Sequence, residues 1–336
     1  MASEIEARAA KETARRRYLA IPGAPKLETF AATSAPQLNV VGVGVGTKNT
    51  AGENTGDLSV RFYVERKLPP EAIHPENMLP EQIDGVSTDV IETGRFRRLP
   101  SAAVAAAAAI VNQGKLRPCQ PGGSCGFRFP PGTNMVMAGT LGAVVSDANG
   151  QYLLSNNHVL ADEGNIPLGS PIFQPGLLDG GNPVTDAVAR LTKFIPISPS
   201  AVNHVDCALA RIDSPGLVTP VFLPNVGKLA SGVPVAPTVG MKVIKTGRTT
   251  GPTSGTITDI HATVSVEYDS GTCQFDEQVI IVGDGDEFSA AGDSGSLIVQ
   301  SNPKRPTALL FAGSQTHTIA NRIDAVLAAL GVALVI

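Results

Sequence analysis

Gly292-Asp293-Ser294-Gly295-Ser296-Leu297-Ile298-Val299 sets a serine between two glycines and follows it at once with an apolar run. Glycine adopts backbone conformations closed to other residues, so this stretch reads as a tight turn feeding a buried strand. Two segments upstream share the build. Ser155-Asn156-Asn157-His158 follows the apolar run Tyr152 to Leu154, and Asn203-His204-Val205-Asp206 opens onto Cys207-Ala208-Leu209. Each puts one chemically competent side chain at a strand end. From Gly139 onward, short β-type runs recur between turn signals, at 143–146, 152–154, 207–212, 243–246, 255–260, 278–282, 297–300 and 308–312. Many short strands divided by Gly and Pro imply an antiparallel barrel or sandwich. Ile319, Ile323, Val326, Leu327 and Leu330 then recur at helical spacing before Gly331, which predicts a closing amphipathic helix.

A serine hydroxyl is a poor nucleophile near neutral pH and needs a base to take its proton. His158 is the candidate base, and Asp206 the group that fixes its tautomer and stabilises the imidazolium. The glycines beside Ser294 allow the amides of Gly292 and Ser294 to converge on the oxyanion of a tetrahedral intermediate. Forty-eight residues separate His158 from Asp206, and 88 separate Asp206 from Ser294. That order excludes the α/β-hydrolase and subtilisin arrangements, and G-x-S-x-G fails at Ser296. Singly, each element has a bland alternative: a turn, or a satisfied polar residue at a strand end. Their conjunction points to a serine endopeptidase working through an acyl-enzyme, its triad split across two β-barrels. The competing reading is an inactive fold of the same type used as a binding or scaffold module.

The region resembles the chymotrypsin-like serine proteases, and within them the bacterial branch of α-lytic protease and the streptogrisins. Ser155-Asn156-Asn157-His158, Asp206 and Gly292-Asp293-Ser294-Gly295 carry the likeness, with Thr246-Gly247-Arg248-Thr249-Thr250-Gly251 as its branch-specific part. The closing 330–335 is similar to that branch's last strand. The resemblance covers roughly 132–336. It implies a mainly β fold of two antiparallel six-stranded, trypsin-like barrels with a C-terminal helix, preceded by a small α/β domain similar to the leader of uncharacterised bacterial trypsin-like proteins. It also implies an ion pair between Arg248 and Asp293 that shapes the oxyanion hole. The strand 309–314 is the expected wall of the specificity pocket, giving Ala291, Phe311, Ala312 and Gly313 as substrate-binding residues. No acid lies in Phe288-Ser289-Ala290-Ala291, so a small or apolar P1 side chain is expected rather than Lys or Arg.

The chain has 336 residues, 43% hydrophobic and 17% charged, with 4% aromatic and no Trp, so aliphatic packing must fill the core. A net charge of −4 offers no general attraction to nucleic acid or anionic membranes. The expected partner is a protein or peptide substrate; the oligomeric state is left open. Residues 1–30 read as a charged helical arm, with Arg15-Arg16-Arg17 on a solvated face. Residues 31–97 read as the leader domain, 98–131 as an Ala-rich then Pro/Gly-rich linker, and 132–336 as the protease domain. Gly42, Gly44 and Gly46 form G-x-G-x-G, a strand of small residues and not a dinucleotide loop. Without a signal-peptide core or a long apolar span, and with four sparse cysteines, a cytoplasmic location is expected. Cys119 and Cys125 could bridge, whereas Cys207 and Cys273 read as buried thiols. No cofactor or metal is expected: Asp284, Asp286 and Glu287 match no EF-hand spacing. His204 reads as a surface residue, and His317 as a surface turn or, alternatively, a group that recognises an acidic P1 side chain.

Overall fold

The structure, a computed structural model, describes residues 2–19, 39–50, 53–98, 111–133, 135–222 and 226–336. It is mainly β with few helices, one of them C-terminal. The strands of the first part are β1 (Val40–Thr50), β2 (Glu53–Val64), β3 (Gln82–Ile83), β4 (Val86–Glu92), β5 (Phe96–Arg98), β6 (Ser124–Cys125) and β7 (Gly139–Thr140). Next come β8 (Ala143–Asp147), β9 (Gly150–Ser155), β10 (Pro171–Phe173), β11 (Ala187–Phe194), β12 (Val202–Asn203) and β13 (Ala208–Ile212). The remainder holds β14 (Lys242–Gly247), β15 (Gly251–Tyr268), β16 (Gly271–Gly283), β17 (Leu297–Gln300), β18 (Pro306–Gly313), β19 (Thr318–Arg322) and β20 (Ala333–Leu334). Three α-helices matter here: α1 (Glu4–Tyr18), α2 (Asn157–Leu160) and α3 (Ile323–Leu330).

One sheet has six strands in the antiparallel order β10-β11-β13-β9-β8-β20. A larger sheet holds twelve. Within it β14, β15, β16, β19, β18 and β17 pair in a ring, each antiparallel to the next, and β17 returns to β14. The picture of two separate six-stranded barrels needs correction in two places. In the smaller sheet β10 and β20 are edges, with no pairing between them among the described residues. The larger sheet as a whole does not close, because it runs on from β15 into β1, β2, β4 and β3.

The cause is the length of β15. Its residues 251–256 pair with β14, and farther along Thr263 and Val264 take Val43 and Gly42 of β1. An uncovered strand edge is a template for another strand. Strands β1 to β4 are thus continuous with the larger sheet. Gly42, Gly44 and Gly46 lie in β1 for a steric reason: a Cβ on Gly44 would fall 1.7 Å from Asp259 Oδ2, and one on Gly46 2.5 Å from the Thr258 carbonyl oxygen. Asp259 is fully buried, accepting from the Tyr63 hydroxyl at 2.8 Å and the His261 amide at 3.0 Å, and burial holds its carboxyl above the ordinary range.

Helix α1 starts with a capping box between Ser3 and Glu6. The expected charged arm has an inward face after all. Ala7, Ala10 and Ala14 are buried against β1 and β2, and Lys11, only 1% exposed, reaches Asp276 Oδ1 at 2.8 Å. At the other end Gly331, at φ +74°, caps α3. Ile319, expected in that helix, belongs to β19. Of the expected linker, 99–110 lies outside the described residues, while Cys119, Ser124, Cys125 and Phe127 are buried. All four cysteines are free and buried, so Cys119 and Cys125 do not bridge. Among the described residues no helix is long and apolar enough to cross a membrane.

Gly44→Ala forces β1 away from the buried Asp259 carboxylate. The expected loss is about 1–3 kcal/mol of stability, read as a lower denaturant midpoint with an unchanged slope.

Candidate active site

Strand β9 ends at Ser155, α2 follows at once and carries His158, and β13 begins just after Asp206. Because β9 and β13 pair with Ser155 opposite Ala208, the two segments lie side by side. His158 Nδ1 sits 2.5 Å from Asp206 Oδ2. A carboxylate only accepts, so Nδ1 carries the proton and Nε2 is left as the acceptor. The amides of Asn157 and His158 donate to Asp206 Oδ1 at 2.7 and 3.3 Å, and the Tyr268 hydroxyl donates to Oδ2 at 2.7 Å. Asp206 has no solvent exposure, and these bonds stand in for water. Burial, then the charge of Asp206, pushes the Tyr268 phenol well above its usual range, so it stays a donor. The Asp206 amide donates to Asn321 Oδ1 at 2.9 Å, and Asn156 Nδ2 donates to the Asp206 carbonyl at 2.8 Å.

Ser294 stands in the turn before β17, between Gly292 at φ +97° and Gly295 at φ +95°. A Cβ on Gly292 would come within 2.5 Å of Arg248 Nη1, and one on Gly295 within 2.1 Å of Ser155 Oγ. Both positions therefore demand glycine. Ser294 and His158 line one cleft of about 180 Å³, whose walls include Phe127, Met137 and Gly139. His158 Nε2 is buried there without a hydrogen-bond partner among the described residues. The Ser294 hydroxyl is turned to the Phe311 carbonyl, 3.3 Å away. The structure thus joins imidazole and acid directly and brings the hydroxyl into the same cleft, facing Phe311. The amides of Gly292 and Ser294 have no acceptor among the described residues, while the Gly292 carbonyl accepts from Thr140 Oγ1 at 2.9 Å.

The ion pair expected between Arg248 and Asp293 is not made. Lys245 Nζ lies 3.1 Å from Asp293 Oδ2, both side chains fully buried. Asp293 also accepts from the amides of Thr249 at 2.8 Å, Thr250 at 3.1 Å and Ala290 at 3.0 Å, and from Thr250 Oγ1 at 2.7 Å. Arg248 forks onto Asp179 instead, Nε to Oδ2 at 2.6 Å and Nη2 to Oδ1 at 2.5 Å. Strand geometry explains the exchange. Lys245 is inside β14 and points into the interior, whereas Arg248 lies past the strand end, where its planar fork meets a carboxylate two-pronged. Burial lowers the Lys245 pKa, and Asp293 opposes that shift.

Among the expected pocket residues, Phe311 and Ala312 are fully buried, and the Phe311 ring packs on Phe275 at 4.8 Å between centroids. It is the Phe311 carbonyl that meets Ser294. Ala312 and Gly313 are paired with Arg98 and Arg97 of β5. Ala291 is half-buried and accepts from Thr249 Oγ1 at 2.6 Å through its carbonyl. His204 is exposed. Asp284 accepts from Lys242 Nζ and Thr256 Oγ1, each at 2.9 Å, and no cluster able to hold a metal occurs among the described residues. Residues that sequence reasoning missed are Lys245, Asp179, Tyr268 and Asn321. Lys245 left one trace, a cation within the β-type run 243–246; the others are joined to the site only by folding.

Residues 220–323 match the model of the Nal1 C-terminal domain. The chain is 25% identical over 316 residues to Protein NARROW LEAF 1 of Oryza sativa subsp. japonica, covering 82% of this chain and 51% of that protein. It thus spans about half the length of that relative. Among solved structures, Thermobifida fusca Protease A is similar over 64% of this chain and 97% of its own, at 17% identity and a TM-score of 0.44. Cellulomonas bogoriensis chymotrypsin has the same coverage and identity, with a TM-score of 0.43.

Lys245→Ala leaves Asp293 charged and buried without its cation, and is expected to cost about 3–5 kcal/mol in denaturant unfolding. His317, partly buried and 6.2 Å from the Tyr63 ring, has its pKa lowered from 6.5 to about 4, first by burial and then by Arg61. Between those values the unfolded chain binds the proton and the folded one does not. The contribution of His317 is therefore complete above pH 6.5 and lost as pH falls toward about 4. Unfolding of His317→Asn is expected to depend less on pH across that window.

Proposed function

We propose that this chain is a serine-type endopeptidase of the trypsin-like kind, with 132–336 as its catalytic unit and 31–97 as its leader. The supporting observation is the buried 2.5 Å bond between His158 and Asp206, whose partnerless Nε2 opens on the cleft that holds Ser294. In this reading the hydroxyl turns from the Phe311 carbonyl toward Nε2. It gives its proton to the imidazole as Oγ attacks the peptide carbonyl carbon. Asp206 stabilises the imidazolium, and the amides of Gly292 and Ser294 receive the oxyanion. The C–N bond then breaks as the imidazolium hands its proton to the leaving amine, leaving the acyl group on Ser294. Water, deprotonated by the same imidazole, releases the acid and restores the hydroxyl.

A second reading, a trypsin-like fold kept as a binding module, draws on one feature: Ser294 Oγ bonds Phe311 and leaves Nε2 without a partner. Covalent labelling with a fluorophosphonate separates the two. Labelling of the wild type and none of Ser294→Ala supports the peptidase, whereas no labelling of either supports the binding module. Under the peptidase reading, His158→Ala is expected to lower peptide hydrolysis by about 10⁴-fold or more with the fold intact by circular dichroism.

A further inference from the structure

Strand β5 is the part of the leader that reaches the cleft. It runs antiparallel to β18, with Arg97 opposite Gly313 and Arg98 opposite Ala312. On its other side it is parallel to β15, with Phe96 opposite Val266. Phe311, the residue before Ala312, is the one whose carbonyl holds the Ser294 hydroxyl. The carboxyl end of β5 is therefore the end nearest the serine. Arg98 lines the cleft with His158, Ser294, Asp162 and Asp269. Its Nε lies 3.2 Å from Glu163 Oε1, and its Nη2 bonds Asp269. The Glu163 carboxylate is itself held by the amides of Asp269 and Ser270, each at 3.0 Å, so this acidic rim is a built one. Into the same cleft opens His158 Nε2, buried and without a partner.

A sheet edge recognises an extended peptide by adding it as a strand: main-chain bonds hold it, and pockets read alternate side chains. Resting on the peptidase reading above, we infer that β5 fills the slot meant for an extended peptide substrate, with Arg98 seated in a subsite of Asp162, Glu163 and Asp269 that suits a basic side chain. The leader thereby holds the site closed. Phe96, fully buried beside Tyr63, anchors the start of β5, so opening concerns its Arg97–Arg98 end. A substrate with Arg or Lys in the place of Arg98 competes for the same rim.

The test uses the full chain and the rate of Ser294 labelling by a fluorophosphonate. Arg98→Ala and Asp269→Asn each loosen the strand from one side of the pair and are expected to label about tenfold faster than wild type. Arg98→Lys, which keeps the charge, is expected to stay near the wild-type rate. A synthetic peptide carrying the Phe-Arg-Arg sequence of 96–98 is expected to slow labelling of Arg98→Ala. Equal rates for wild type, Arg98→Ala and Asp269→Asn overturn this inference and leave the peptidase reading standing. No labelling of any of them overturns that reading, and the inference with it. If Arg98→Ala fails to fold, Asp269→Asn, on a side chain 78% exposed, gives the same readout.

Discussion

Asp206 carries a charge with no access to solvent, and a charge in that position must find its donors in the protein. It draws them from both sheets. Asn157 and His158 stand at the end of β9 in the smaller sheet, and Tyr268 ends β15 in the larger one. Asn321 of β19 takes the amide of the same residue. The carboxylate therefore sets where the two sheets meet, and the imidazole it holds sits at that seam. Donors to a buried charge come as a set, since losing one leaves the rest to carry a desolvated ion.

Asp293 repeats the arrangement beneath the serine turn. Lys245 from β14, the amides of Thr249, Thr250 and Ala290, and the Thr250 hydroxyl all converge on it. One end of the Ser294 turn is thus fixed by a buried cation, the other by close contact between Gly295 and the β9 terminus. Arg248 and Asp179 brace the outside of the same loop, with Thr249 passing the contact to the Ala291 carbonyl. Two buried carboxylates, each met by several donors, hold the His158 imidazole and the Ser294 hydroxyl against one cleft.

The N-terminal strands reach that cleft through β15. At 18 residues this strand is long enough to serve the ring of six with one stretch and β1 with another. Once β1 and β2 are attached, β5 is delivered between β15 and β18, beside the serine. Helix α1 locks the arrangement from outside, its small alanines allowing close approach and its Lys11 pairing with Asp276 of β16.

Local pattern was enough for most elements. Short β-type runs between turn signals marked strands after Gly139, the small residues of 42–46 marked β1, and Gly331 marked the end of α3. The sequence singled out His158, Asp206 and Ser294 because each stands beside an apolar run, and folding sets His158 against Asp206 and in one cleft with Ser294. Partner choice was beyond it. Whether Asp293 meets Lys245 or Arg248 depends on which side chain β14 turns inward, and Tyr268 reaches Asp206 across 62 positions of chain. That Ile319 is strand and not helix, and that β5 lies against β18, were settled by the neighbours each segment found, since hydrogen-bonding edges carry no signature in the order of residues. Composition and periodicity determine which face of an element is buried. Only the folded chain decides what lies against that face.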